Sequence, residues 1–428
     1  MSAFELSILF FLQIAFILTV CRVVGWLAQK VGQPQVVGEM IAGVLMGPSL
    51  LGWLFPAAQG FLFPPASKGI LFAVSQMGLV LYMFLVGLEF DLDLIRNRMR
   101  SAASVSLSGI LVPLGLGGVL GYYLLHEGGF FAPTVVPWEA MFFTGASMAI
   151  TAFPMLARII YERGLAGTSL GTLALAAGSI DDGAAWCVLA LVLASFSGKA
   201  SIAILAIGGG AIYTVGLLTL GRKPLSILGK MTERAGGVTP PLLAVTLILT
   251  MLGAWYTDRI GIYAVFGAFI MGAAMPRGRF AQDVQQQLQP LVTTFLLPLF
   301  FVYSGLNTRI TLVNTAFLWF VALLALLAAC VGKGVACWAA ARLNGEPQRD
   351  ALAIGTLMNA RGLMELIILN IGLERGVVTP LLFTVLVIMA IVTTLMATPI
   401  FEWVFRRHPL ITVPYDVAAV SGVSGSGS

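Results

Sequence analysis

The chain has 428 residues, of which 59% are hydrophobic and only 10% are charged, and its formal net charge is +5. Soluble globular proteins carry about 25% charged residues, so this composition excludes a soluble enzyme, a secreted disulfide scaffold, a disordered protein and a nucleic-acid-binding protein. The basic residues stand in short segments between apolar runs, so the positive charge does not indicate a nucleic-acid partner either.

Apolar runs of membrane-spanning length follow one another along the chain. A helix needs about 20 apolar residues to cross the hydrocarbon core of a bilayer. On that measure we predict an all-α polytopic membrane protein with about thirteen transmembrane helices, at 5–28, 35–54, 69–90, 102–125, 137–161, 168–196, 200–220, 240–258, 261–276, 287–305, 314–341, 351–373 and 378–405. The first run lacks a positively charged start and a cleavage site, so it is predicted to be a transmembrane helix and not a signal peptide.

The loops between these spans differ in charge. If the N-terminus lies outside, the predicted inner segments carry 16 lysine and arginine residues and the outer segments carry 5. The remaining three of the 24 basic residues, Arg22, Lys333 and Arg361, lie within spans. Basic residues are enriched on the cytoplasmic side of membrane proteins. This pattern therefore predicts an outer N-terminus and a cytoplasmic C-terminus.

Ionisable residues stand near the middle of several predicted spans, where a charge costs at least about 2.5–3.5 kcal/mol on insertion scales. Asp181 and Asp182 are in the middle of 168–196, and Lys333 lies within 314–341. Adjacent helix residues point about 100° apart, so one aspartate can meet a buried cation while the other faces a water-filled cavity. A dehydrated carboxylate binds either H⁺ or a small monovalent cation, and this competition is the chemistry of an exchanger. The alternative is a structural pair of Asp181 with Lys333 that only locks helices together.

The fifth predicted span contains a residue that interrupts a helix. Pro154 removes a backbone hydrogen bond and opens the preceding turn, next to Thr151, in the middle of 137–161. Two half-helix ends that meet at the membrane midplane present partial charges to an ion. A simple kink at Pro154 is the alternative.

The twelfth predicted span is interrupted by polar residues. Asn359, Arg361 and Gly362 stand at membrane depth, where irregular backbone survives only when protein or water surrounds it. Arg361 and Glu365 are spaced as an i, i+4 pair that braces the broken helix. We therefore treat Pro154, Asn359, Arg361 and Glu365 as supporting residues and not as ion ligands.

The two interrupted spans cross the membrane in opposite directions, because the twelfth comes seven spans, an odd number, after the fifth. Spans 4–6 and 11–13 thus fit two inverted-topology repeats whose broken middle helices cross. This arrangement is typical of secondary transporters with a binding site at the membrane midplane.

Six segments in order resemble motifs of the monovalent cation:proton antiporter-2 family, which includes Kef-type, NapA-type and plant CHX exchangers. They are GQPQVVGEMIAGVLMGPSLLG (32–52), LVLYMFLVGLEFDLD (79–93), TAFPMLARIIYERG (151–164), GSIDDGAAWCVLALVLA (178–194), LPLFFVYSGLNTRI (297–310) and MNARGLMELIILNIG (358–372). The resemblance covers residues 5–405. It implies an inverted-repeat NhaA/NapA-like antiporter fold with two crossed broken helices.

The resemblance also implies a domain organisation. In this family a mobile core domain moves as an elevator against a scaffold domain that forms a homodimer. The corresponding boundaries are scaffold 1–101 (spans 1–3), core 102–197 (spans 4–6), linker 198–225 (span 7), scaffold 226–312 (spans 8–10), core 313–408 (spans 11–13) and a tail at 409–428. The tail is expected to be a short cytoplasmic segment, disordered or an appended linker.

By the same resemblance, Asp182 matches the aspartate that binds both the cation and the proton. Asp181 matches the variable position before it, Lys333 matches the lysine that pairs with that first aspartate, and Thr151 matches a threonine in the unwound stretch. The combination of Asp181 and Lys333 favours an electrogenic exchanger, as in NapA-type members. The flanking GLMELIILNIG segment is closer to the CHX branch, whose substrates are often K⁺, so both Na⁺ and K⁺ stay open.

We therefore predict a secondary antiporter, not an enzyme, that exchanges Na⁺ or K⁺ for H⁺ in the plasma membrane of a bacterium and needs no cofactor. The alternatives are a gated cation channel, for which no filter motif is present, and a receptor or non-transporting scaffold, which leaves the midplane aspartates unexplained. Kef-type proteins carry a soluble nucleotide-binding domain, but no Gly-rich dinucleotide fingerprint occurs here. The expectation is that such a regulatory domain is either lacking or truncated.

Overall fold

The computed structural model describes residues 2–33, 35–89, 99–151, 153, 156, 159–160, 165, 168–195, 200–260, 263–361 and 363–405. Within these ranges, residues 3, 99, 182, 183, 186, 187, 189–195, 200–207, 363, 364 and 405 are described by their backbone alone. The described residues form helices without a strand, and an isolated antiparallel bridge links Phe131 to Val378. The all-helical membrane fold class predicted from the sequence is confirmed.

The described residues of the first half of the chain contain eight helices. They are α1 (Ala3–Lys30), α2 (Gln35–Met46), α3 (Leu51–Leu54), α4 (Pro56–Leu62), α5 (Lys68–Glu89), α6 (Met99–Glu127), α7 (Pro137–Ala149) and α8 (Ser169–Ser195). Ser2 caps α1, because its Oγ accepts a hydrogen bond from Glu5 N at 3.2 Å. Pro137 begins α7 at a position where a proline costs no helical hydrogen bond.

The second half contains eleven helices within the described residues. They are α9 (Ala200–Gly216), α10 (Arg222–Ala235), α11 (Pro240–Arg259), α12 (Ala264–Ala274), α13 (Arg279–Leu291), α14 (Leu297–Leu306), α15 (Ala316–Ala329), α16 (Ala336–Leu343), α17 (Gln348–Met358), α18 (Leu363–Glu374) and α19 (Pro380–Phe405). Three π-helical turns join consecutive helices without a loop, at Leu217–Gly221, Val292–Leu296 and Cys330–Val335.

Twelve of the thirteen predicted spans coincide with one described helix or with a pair of them, and α7 covers the first half of the fifth. Eight stretches of the described residues are long and apolar enough to cross a membrane. The broken spans do not reach that length, because α7, α17 and α18 have 13, 11 and 12 residues. The chain is therefore a multi-pass membrane protein, and the count of thirteen spans stays a prediction.

The predicted span at 35–54 has the bounds of a candidate membrane span, Gln35–Leu54, although within it α2 ends at Met46 and α3 begins at Leu51. The structure differs from the predicted boundaries at two other places. The predicted loop at 221–239 contains α10, and the predicted loop at 277–286 contains most of α13. Both helices are rich in polar residues with buried apolar residues at helical spacing. A search for continuous apolar runs does not detect such amphipathic helices.

The helices pack in two groups. The first group consists of α1, α2, α5 and α11–α14, and the second group consists of α6–α8 and α15–α19. Helix α9 contacts α8 of the second group and α11 of the first group. This division positions the candidate site, because the residues singled out by the sequence lie in the second group.

Glycines bring α6 and α7 into backbone contact within the second group. A Cβ atom added to Gly117 of α6 would lie 2.7 Å from Gly145 Cα in α7. A larger side chain at either glycine would push the helices apart, and small residues at such crossings are common in membrane helix packing. The close approach places the end of α7 beside Gly109 of α6, at the site described below.

Candidate functional site

Both predicted interruptions are present as breaks in helices. Helix α7 ends at Ala149, and Ile150 is extended with φ −73° and ψ 131°. Thr151 lies outside any helix, and helical residues follow from Phe153. Helix α17 ends at Met358, after which Ala360 and Arg361 are not helical and α18 begins at Leu363. Each broken span therefore contributes a carbonyl end of a half-helix to the protein interior.

The two breaks contact each other through Thr151 and Arg361. Thr151 Oγ1 donates to the carbonyl of Met358 at 3.2 Å. Arg361 donates from Nη1 to Ser147 O at 3.1 Å and from Nη2 to Met148 O at 2.7 Å. The last carbonyls of a helix have no partner within the helix and carry its negative dipole end. The buried guanidinium satisfies two of these carbonyls in α7 and offsets their charge.

Lys333 also contacts the C-terminal end of α7. It lies in the π-helical turn Cys330–Val335 between α15 and α16, and such turns are frequent at functional sites. Its Nζ donates to Asp181 Oδ2 at 2.9 Å, to Gly109 O at 3.1 Å and to Ala149 O. An ammonium group has three N–H donors, so these contacts use all of them. Lys333 and Asp181 are both fully buried.

Asp181 joins the lysine to the broken helix. Its Oδ2 accepts hydrogen bonds from Lys333 and from the backbone N–H of Thr151, the latter at 3.1 Å. Its Oδ1 is buried and has no hydrogen-bond partner among the described residues. That oxygen retains lone pairs with which a proton or a cation could be bound.

Two residues that the sequence singles out lie outside the described part of the site. Asp182 belongs to α8, but its side chain is outside the described residues, and Pro154 is outside them altogether. The roles predicted for Asp182 and Pro154 therefore stay predictions.

The supporting residues lie next to the breaks. Arg361 Nη1 lies 3.5 Å from Glu365 Oε2, and both side chains are fully buried. Neither Glu365 oxygen has a hydrogen-bond partner among the described residues. Asn359 Nδ2 lies 3.5 Å from Cys330 Sγ, so Asn359 contacts the π-helical turn that holds Lys333.

Three contributors were not predicted from the sequence. The carbonyls of Gly109 and Ala149 accept from Lys333, and Thr394 Oγ1 of α19 donates to Arg361 O at 2.9 Å. A hydroxyl inside an apolar span was the available signal for Thr394. The neighbouring Thr393 carries the same signal but bonds only to carbonyls of its own helix. The two backbone carbonyls have no side-chain signal at all.

The oxygen atoms at the meeting of the breaks suit a hard cation or a proton. The described groups at the meeting of the breaks are a carboxylate, a hydroxyl and backbone carbonyls, which are the oxygen donors that alkali and other hard cations prefer. The two buried cations, Lys333 and Arg361, are engaged with carbonyls and with carboxylates of opposite charge. Within the described residues, these groups place Asp181 where it could bind a proton or a monovalent cation.

The chain is similar to known proteins over most of its length. The family model described as "Sodium/hydrogen exchanger, transmembrane" matches residues 15–407. The chain is 41% identical over 390 residues to the Na⁺/H⁺ antiporter NhaS4 of Synechocystis, covering 90% of this chain and 95% of that protein. It is 28% identical to the Na⁺/H⁺-K⁺ antiporter GerN of Bacillus cereus, covering 92% and 96%.

The chain is also similar to a plant protein and to a solved structure. Cation/H⁺ antiporter 17 of Arabidopsis thaliana is 35% identical over 414 residues, covering 94% of this chain and 49% of the plant protein. The chain therefore spans about half the length of that relative. The structure of the sodium proton antiporter MjNhaP1 of Methanocaldococcus jannaschii has a TM-score of 0.60 at 16% identity, covering 91% of this chain and 94% of that one. This likeness shows the fold.

Proposed function

The chain belongs to the sodium/hydrogen exchanger family, and on this premise we propose that it is a secondary antiporter that exchanges Na⁺ or K⁺ for H⁺. The observation that carries the proposal is the buried pair of Asp181 and Lys333 at the meeting of two broken helices. Buried charges in a membrane are costly. Here they lie where irregular backbone and the carbonyl end of α7 converge.

The cation and the proton compete for the aspartates. At alkaline internal pH, Asp182, with Asp181 beside it, is deprotonated and takes the cation, with the Thr151 hydroxyl as a further oxygen ligand. Protons arriving from outside then displace the cation. Because protonation removes the charge that binds the cation, lowering the pH on the loading side raises the cation concentration needed for half-maximal exchange. The exchange requires no cofactor.

We assign the predicted domains to the two helix groups. The first group takes the role of the scaffold and the second group that of the core, with α9 as the linker. In this mechanism the core carries the occupied site past the scaffold as an elevator, and two crossing broken helices at the site are typical of such transporters. Residues 1–101 and 226–312 supply the scaffold, which forms a homodimer, and residues 102–197 and 313–408 supply the core.

The charge balance depends on the Asp181–Lys333 pair. If the pair releases a proton in each cycle, two protons move per cation and exchange is electrogenic. If the pair stays closed, exchange is one for one and electroneutral. The predicted setting is the plasma membrane of a bacterium, with the N-terminus outside and the C-terminus in the cytoplasm.

Proteoliposomes with an imposed pH gradient and a pH-sensitive dye test the proposal. We expect Na⁺ or K⁺, but not choline, to dissipate the gradient, and we expect Asp182→Asn to abolish the response. Asp283→Asn is the matched control and should retain the response, because Asp283 is a partly buried carboxylate of α13 in the first group that accepts a hydrogen bond from Val238 N. Repeating the assay at clamped membrane potentials decides whether exchange is electrogenic.

Two outcomes would contradict the proposal. One is the absence of a response to any cation in vesicles that hold folded wild-type protein. The other is full exchange by Asp182→Asn. Both ions are tested because the names of the relatives include Na⁺/H⁺, Na⁺/H⁺-K⁺ and cation/H⁺ antiporters.

A further inference from the structure

Side chains near the C-terminal end of α18 join the two helix groups. The loop charges predict that this end of α18 lies on the outer side of the membrane. Asn370 Nδ2 of α18 lies 3.0 Å from Ser304 Oγ of α14. Tyr303 OH of α14 donates to Glu374 Oε1 of α18 at 3.3 Å. These four residues are called the outer latch below.

Asn370 and Ser304 are the buried pair of the outer latch. Asn370 is 3% exposed and Ser304 is 1% exposed. The second amide hydrogen of Asn370 is also used, because Nδ2 lies 2.8 Å from Leu366 O in its own helix. A buried polar group that loses its partner is far more costly than one that keeps it. The Asn370–Ser304 contact therefore favours the arrangement in which α18 and α14 are close.

The outer latch uses one face of α18 and two neighbouring faces of α14. Asn370 and Glu374 are four residues apart and thus share a face of α18, and Tyr303 and Ser304 are adjacent in α14. The Tyr303 ring also packs against Phe72 of α5, with centroids 5.3 Å apart. The outer latch thus connects the second group to two helices of the first.

Helix α18 links this contact to the candidate site. It begins two residues after Arg361, which donates to the end of α7. Its 12 residues form a continuous helix, about 18 Å long. A displacement of the site relative to the first group therefore carries Asn370 away from Ser304.

We infer that the outer latch closes the route between the outer side of the membrane and the candidate site. It thereby sets the balance between the inward-facing and outward-facing states. This inference rests on the proposed function. Opening to the outside must break the buried Asn370–Ser304 bond, and closure restores it. Asn370 and Ser304 are positioning residues in this scheme, since they are not among the groups of the candidate site.

Hydrogen–deuterium exchange in nanodiscs tests the contact without requiring transport. In Asn370→Leu and Ser304→Ala we expect amides near 366–374 and 300–306 to exchange about threefold to tenfold faster, the factor that corresponds to one net hydrogen bond. The double variant should add little to either single change, because both remove the same bond. Ser75→Ala is the matched control, since the buried Ser75 hydroxyl bonds to Phe72 O in its own helix, and it should leave these segments unchanged.

Exchange assays on the same variants test the consequence for access. If more of the protein faces outward, a lower concentration of outer cation gives half-maximal exchange. We expect this concentration to fall by about threefold to tenfold in the two variants and to stay unchanged in Ser75→Ala. The inference would be overturned by the following result. The wild-type protein exchanges cations for protons, but both variants show wild-type deuterium exchange and a wild-type half-maximal concentration for outer cation. Absence of exchange in wild-type protein would instead contradict the proposed function, so the two failures are distinct.

Discussion

At the scale of single residues, the site is organised by buried charges that have no solvent to stabilise them. Lys333 uses its three donors on one carboxylate and two carbonyls. Asp181 in turn depends on Lys333 and on Thr151 N for the hydrogen bonds to Oδ2. Removal of one member of a buried pair leaves the other charge uncompensated, whereas removal of both is far less damaging.

Lys333→Met should therefore lower the free energy of unfolding by about 3–5 kcal/mol. The double variant Asp181→Asn/Lys333→Met should recover most of that loss, because no unpaired charge is left. The measurement is unfolding in mixed detergent micelles followed by circular dichroism. Lys230→Met, at an exposed lysine of α10, is the control, and equal stability of Lys333→Met and this control would show that the buried pair does not stabilise the fold.

Two neighbouring threonines allow a matched comparison. Thr394 donates to Arg361 O at 2.9 Å, whereas Thr393 bonds to Met389 O and Ala390 O of its own helix. Thr394→Val should cost about 1 kcal/mol and reduce the exchange rate, because it frees the backbone of the break. Thr393→Val should have little effect on exchange. Equal rates for the two variants would indicate that the Thr394 contact does not hold the break.

At the scale of elements, the break in one span is held by a side chain from the other. The Arg361 guanidinium spans two consecutive carbonyls of α7, at Ser147 and Met148. A lysine cannot reproduce this planar, two-point contact although it keeps the charge. The crossing of the broken helices therefore depends on the shape of Arg361 as well as on its charge.

Arg361→Lys is expected to reduce the exchange rate about tenfold or more and to speed deuterium exchange in the last turn of α7. Arg342→Lys makes the same change at an exposed arginine that donates to Glu346 O, and it should leave both readouts unchanged. Wild-type rates in Arg361→Lys would mean that the charge alone is sufficient.

At the scale of the whole molecule, the loop charges predict which end of each helix faces the cytoplasm. In a cysteine-free background, a cysteine at His126 should react with a membrane-impermeant thiol reagent added outside intact cells. A cysteine at Lys230 should react only after the cells are opened. Both positions are exposed. Labelling of both from outside, or the reverse order, would contradict the predicted topology and the assignment of the outer latch to the outer side.

The sequence predicted most of the elements, and it failed where the signal was not continuous apolarity. The helices that cross as unbroken apolar runs were found within a few residues, as α5 (Lys68–Glu89) against 69–90 illustrates. The apolar-run criterion predicts a loop where α10 lies, because the apolar residues of α10 occupy one face of a polar segment. The breaks were located from Pro154 and from Asn359, Arg361 and Gly362, because these residue types disturb a helix locally wherever it packs.

The sequence by itself determined that this chain is a helical multi-pass membrane protein with ionisable groups and helix breaks within its apolar segments. Hydropathy, proline and charge act through local chemistry, which the order of residues contains. Only the tertiary structure decided that Arg361 reaches Ser147, 214 residues away, that Lys333 ends on the carbonyls of Gly109 and Ala149, and that Asn370 meets Ser304. Backbone carbonyls are alike at every position, so only the packing of the helices determines which of them a buried cation meets.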